Sequence, residues 1–406
     1  MKNNSRGKFR LQDREIKFSN YCNSKKQNNS EYKATVCILQ STRRKWIELK
    51  KTKNKTDSEI TDWKHKLAPL QVNQPVITEF FSSSDWKRSQ INKVSLKSLK
   101  YFDNEADLDI NIVKKKINQL REKIRFVKYD QYKLFFDFIK SLNYSGSIIT
   151  QRSVLSRIMN TPFEVNRDRR KWIIKAEIFK NNRVHLYYEK DQELNISEEM
   201  SKQYELLKRY LFVKHPVSYY RNVTSAFDEV FGASSVLNSG SHSLYYTTEI
   251  AGVISDQEIT TLQQLKATEH IYCDIFEDGE FSEDLINYNP IWWSKAILTN
   301  AKQCIIASYD KHNDCIKNIY KFNMDKFDDK TKYENLWSPD AAWNFLNYFI
   351  QFIKDSVNSI PNKFRNQCVW KFESFPNNES SVSCEIFLRK MENGKETLTP
   401  VDETTF

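Results

Sequence analysis

Apolar residues along this chain recur with two different periods. Val113, Ile117, Leu120, Ile124 and Val127 return every three or four positions, which predicts an amphipathic helix, and "YKLFFDFIKSLN" predicts another. "RKWIIKAEIFKNNRVHLYYEK" instead reads as two strands on either side of an Asn181-Asn182 turn. Further strands are expected at "SLYYTTE", "HIYCDIF", "KQCIIASYD" and "CIKNIYKFN", the last two joined by "KHND". Asn289-Pro290 and Ser338-Pro339 each set a side-chain acceptor before a residue that lacks an N–H. They predict helix starts at "IWWSKAILTN" and "DAAWNFLNYFIQFIKDSV". "CVWKFESF" and "SVSCEIF" predict a closing hairpin. The sum is an α+β chain, a mixed β-sheet core with flanking helices.

Composition sets the scale. Of 406 residues, 39% are hydrophobic and 14% aromatic, enough for one large core or two ordinary domains. Residues 1–66 are polar and lysine-rich and read as a flexible basic arm, followed by a folded domain over 67–390 and a C-terminal tail over 391–406. With 63 Lys plus Arg against 52 Asp plus Glu, the formal charge is +11, which suits a polyanionic partner. Seven cysteines form no C-x-x-C pair and six histidines are scattered, a pattern that argues against a zinc site. An odd cysteine count in a chain this long suggests reduced thiols. No stretch approaches the roughly 18 apolar residues of a membrane span, so the expectation is a nuclear or cytoplasmic protein with no membrane contact.

Candidate chemistry centres on two short strand ends. A sheet-based, metal-dependent phosphodiesterase needs carboxylates on neighbouring strands to hold Mg²⁺ or Mn²⁺, and a lysine near the attacking water. Strand residues two apart share a face, so a carboxylate-x-carboxylate beside a carboxylate-x-Lys delivers all four groups together. Glu249-Ile250-Ala251 and Asp274-Ile275-Phe276 match that template at their first positions and fail at their third. A methyl group cannot ligate a cation, and a phenyl ring cannot orient water.

These strands sit in an order that resembles the DXO-type decapping nucleases, the family that includes the fungal partner of the nuclear 5′–3′ exoribonuclease. The likeness runs from about residue 75 to 390, through "VSLKSLKYF", "IITQRSVLSRIMNTPFE", "GSHSLYYTTEIA", "IYCDIF", "IWWSKAIL" and "WSPDAAWNFLNYFIQFI". "GSHSLYYTTEIA" is similar to the family's G-S-H-x-L-L-x-x-G-E-V-D, and "IYCDIF" to its Y-V-E-L-K. The resemblance implies an enzyme that uses Mg²⁺ or Mn²⁺ to remove incomplete or nicotinamide-dinucleotide caps from RNA 5′ ends. It also implies a DXO-like fold and, as a partner, a 5′–3′ exoribonuclease.

Position by position, Arg152 matches the family's substrate arginine. The resemblance places the glycine and glutamate of a further motif at Lys214 and Ser218. Glu249 is kept, Ala251 stands where an aspartate is expected, Asp274 replaces a glutamate and Phe276 replaces the catalytic lysine. Lys295 occupies the place of a substrate-contacting glutamine. Two of four acidic ligands therefore remain, Glu249 and Asp274, too few to offset the dehydration of Mg²⁺. The reading is a degenerate active site that keeps RNA 5′-end or partner binding, with Lys295 bridging Glu249 and Asp274 as an internal cation. Two alternatives stay open: an active enzyme in which Lys295 replaces the lost lysine, and a non-catalytic scaffold for an exoribonuclease.

Overall fold

The computed structural model describes residues 72–83, 96–123, 135, 137, 138, 141, 148–163, 172–179, 183–188, 197–216, 230–239, 242–280, 288–329, 337–374, 382–392 and 395–400. The basic arm over 1–66, the second predicted helix for the most part, Ile124, Val127 and Ser218 lie outside the described residues.

The first part of the chain forms β1 (Val76–Ser83), β2 (Tyr101–Phe102), α1 (Ile110–Lys123), β3 (Ile148–Gln151), α2 (Arg152–Asn160), β4 (Trp172–Phe179) and β5 (Arg183–Tyr188). The middle forms α3 (Glu198–Leu211), β6 (Phe212–Val213), β7 (Val230–Ser239), β8 (His242–Glu249), β9 (Gly252–Ile254), α4 (Leu262–Ala267) and β10 (Glu269–Glu277). The last part forms α5 (Pro290–Thr299), β11 (Ala301–Asp310), β12 (Cys315–Asn323), α6 (Pro339–Asn358), α7 (Asn362–Arg365), β13 (Cys368–Ser374), β14 (Val382–Glu392) and β15 (Lys395–Pro400).

The mixed sheet anticipated from the sequence is divided in two. A nine-stranded sheet runs β1-β7-β8-β3-β5-β4-β13-β14-β15, and a six-stranded sheet runs β12-β11-β10-β9-β2-β6. Both are mixed: β3 lies parallel to β8 and β5, and β10 lies parallel to β11, among otherwise largely antiparallel pairs. Residues 395–400, read from sequence as tail, pair with β14 as an edge strand.

The chain passes from one sheet to the other between β8 and β9. Gly252 makes that corner possible, because a Cβ there would lie 2.3 Å from the Phe212 ring and 3.2 Å from the Lys100 carbonyl. Glu249, the last residue of β8, therefore stands at the junction of the sheets.

Helix α5 is wedged into that junction. Trp293 and Leu298 join the core of the nine-stranded sheet with α2 and α6, while Trp292 and Ala296 pack on β10 and β11. A helix buried on both sides is apolar nearly all round, and Lys295 is its one charged residue. Its start follows the sequence: Asn289 Oδ1 accepts the Ile291 N–H at 2.8 Å and Pro290 opens the first turn. Helices α1 and α3 cover the opposite face of the six-stranded sheet through Val113, Ile117, Leu207 and Leu211.

Candidate functional site

Alternation along β10 sends Tyr272, Asp274 and Phe276 toward α5, and Ile271, Cys273 and Ile275 toward α1 and α3. Asp274 Oδ2 accepts a charged hydrogen bond from Lys295 Nζ at 2.7 Å, and its Oδ1 accepts the Ile275 N–H at 3.0 Å. The Tyr272 hydroxyl also donates to Asp274. Burial alone would push the Asp274 carboxyl up, but the Lys295 charge and these donors hold it below the ordinary carboxylate value. Burial and the neighbouring carboxylate push the Tyr272 phenol well above its usual range, so it remains a donor.

Glu249 has a different cation. Lys208, on α3, donates to Glu249 Oε1 at 3.0 Å and also reaches Glu205 Oε1 at 2.7 Å. The Lys208 side chain is only 2% exposed, and its ammonium lies 4.6 Å from the centre of the Tyr204 ring. Burial would raise the Glu249 pKa, yet the charges of Lys208, Lys100 and Arg152 depress it below the ordinary value. Lys100 shares this neighbourhood: burial and the nearby Lys208 lower its pKa to about 8, against the opposing pull of Glu205 and Glu249.

Arg152 opens α2 directly after β3, beside β8. Its Nη1 donates to Thr299 Oγ1 at 2.9 Å, and its guanidinium lies 5.2 Å from the centre of the Tyr272 ring. Arg152 thus connects the two halves: its charge acts on Glu249, and it stacks on the phenol bonded to Asp274. Among the described residues, the cations Lys100, Arg152, Lys208, Arg209 and Lys295 surround the carboxylates Glu205, Glu249 and Asp274.

The residues that depart from the phosphodiesterase template point into cores. Ala251 is 8% exposed and packs with the α1–α3 cluster. The Phe276 ring lies 5.3 Å from Trp292 and packs with Tyr272 and Ile306. Among the described residues, no group of three or more His, Cys, Asp or Glu side chains is placed to hold a metal ion. Glu249 and Asp274 each already hold an ammonium instead. The described residues therefore do not fit a Mg²⁺ or Mn²⁺ centre.

No family model matches the chain, and no curated protein matches it. Solved structures do. A mutant of Schizosaccharomyces pombe Rai1 in complex with 3′-FADP superposes with a TM-score of 0.57 at 12% identity, covering 83% of this chain and 97% of that one. Scheffersomyces stipitis Rai1, in complex with (3′-NADP)⁺ and calcium, gives 0.57 at 10% identity over 77% and 89% of the two chains. Candida albicans Rai1, in complex with pU5 and Mn²⁺, gives 0.55 at 15% identity over 83% and 91%. The fold is that of the DXO-type decapping nucleases.

Within this DXO-type fold, Arg152, Glu249, Asp274 and Lys295 gather at the sheet junction. Lys295, anticipated as a bridge between Glu249 and Asp274, bonds Asp274, and Lys208 supplies the cation for Glu249. Lys214 is exposed after β6. Lys208, Glu205, Lys100, Tyr204 and Tyr272 were not singled out from sequence. One signal was available: Lys208 falls among Leu207, Leu211 and Met200 on the buried face of α3, where a lysine is admitted only with partners.

Proposed function

We propose that this protein recognises RNA 5′ ends through a DXO-type cleft whose hydrolytic centre is degenerate, and that it acts in 5′-end quality control of mRNA by binding. The observation that carries this reading is that each remaining carboxylate of the cleft, Glu249 and Asp274, is neutralised by a lysine of the chain itself. An internal ammonium supplies positive charge without the Lewis acidity that would activate water. The excess of cations in the cluster suits a terminal phosphate, with Arg152 as the group whose planar fork matches phosphate oxygens. Candida albicans Rai1, of the same fold, is in complex with pU5, which supports an RNA 5′ end as the ligand class.

Fluorescence anisotropy with short 5′-monophosphorylated and 5′-hydroxyl RNAs tests this. Binding is expected to favour the phosphorylated end, to weaken steeply with salt and to ignore chelator. Arg152→Ala should weaken it by about tenfold or more, the weight of one charge-assisted contact. Mn²⁺-dependent release of a labelled 5′ nucleotide, abolished by Glu249→Gln, would instead establish the active enzyme with Lys295 as the relocated lysine. A protein that binds no RNA at low salt and co-purifies with a 5′–3′ exoribonuclease would establish the scaffold.

A further inference from the structure

Carboxylates from two separate elements converge on one buried point, and that point holds a lysine nitrogen. Glu205 comes from α3 and Glu249 from the end of β8, and Lys208 Nζ lies 2.7 Å and 3.0 Å from them. The Lys208 side chain is 2% exposed and lies on the buried face of α3 with Leu207 and Leu211. We propose that Lys208 is a resident cation: it excludes divalent metal from Glu249 by occupancy, and the missing carboxylate at Ala251 is secondary to it.

Two physical effects support exclusion by occupancy. A tethered ammonium competes with metal as an intramolecular ligand, at an effective concentration of about millimolar or higher. It also places a like charge beside any incoming divalent ion, in a site where water screens poorly. Mg²⁺, which dehydrates reluctantly, would be disfavoured twice over. Simple ligand loss predicts something different, namely that removing the ammonium leaves the site without metal, because two of the four expected carboxylates are still missing. The inference rests on Glu249 as the remnant of a metal site, but it requires no RNA, so a failure to bind RNA would leave it untouched.

The test compares the unmodified protein, Lys208→Gln and Ala251→Asp, reading Mn²⁺ binding by loss of the free-ion electron paramagnetic resonance signal and by melting temperature. Lys208→Gln is expected to bind Mn²⁺ at least tenfold more tightly than the unmodified protein and to melt higher as Mn²⁺ is added. Ala251→Asp, with Lys208 in place, is expected to bind no better than the unmodified protein. A folded Lys208→Gln that takes up no Mn²⁺ would overturn the proposal, and so would a gain of metal in Ala251→Asp alone. Should Lys208→Gln fail to fold without metal, the apolar, similarly sized Lys208→Met repeats the comparison at the same position: Mn²⁺ uptake by a folded Lys208→Met supports the proposal and its absence overturns it.

Discussion

Asp274 shows how a single carboxylate in this site is maintained. It is 18% exposed, its Lys295 partner 22%, and the pair is reinforced by the Tyr272 hydroxyl and a backbone N–H. Its folded pKa lies below the unfolded value, as does that of Glu249. A depressed carboxyl contributes stability that is fully present above its unfolded pKa, about 4, and is lost as pH falls through the folded value. Urea unfolding between pH 6 and pH 3 should therefore show a falling midpoint, shallower in Asp274→Asn than in the unmodified protein; equal slopes would show that the pair carries no such linkage. Glu249 and Asp274 were legible in the sequence as carboxylates at strand ends, and Lys295 through the resemblance of "IWWSKAIL" to the family's W-W-x-Q helix. Lys208 was not, because helical period identifies a buried face without naming what it meets. Its partner Glu249 lies 41 residues further on and in another element.

At the scale of elements, the β8–β9 corner is the feature on which the site depends. It turns the chain from one sheet to the other within three residues, leaving Glu249 at the end of β8 and Ala251 in the α1–α3 core. Gly252→Ala would drive a methyl group into the Phe212 ring, and overpacking of this kind costs about 1–3 kcal/mol. Chemical denaturation measures that loss, and a variant as stable as the parent would mean that Phe212 yields freely. Strand identities and helix starts could be read from the sequence: β4 with β5, β11 with β12, and the caps Asn289 and Ser338 all appear where local chemistry placed them. The division into two sheets could not be read. Alternation tells which face of a strand is buried, while the neighbour on each edge is chosen by long-range packing. Residues 395–400 show the same limit, since their pairing with β14 rests on an available edge.

The whole molecule combines two mixed sheets, a helix wedged between them and a cluster of paired charges at their junction. Its formal charge of +11 and the cations around Glu249 and Asp274 agree in sign, which suits the polyanionic ligand proposed above. In this account the chain's own lysines supply the positive charge that a divalent ion would bring. Calorimetric titration of Mn²⁺ into the unmodified protein tests this most directly. The account predicts no saturable heat attributable to the cleft, with the same trace from Glu249→Gln. A single tight site in the unmodified protein that disappears in Glu249→Gln would contradict it.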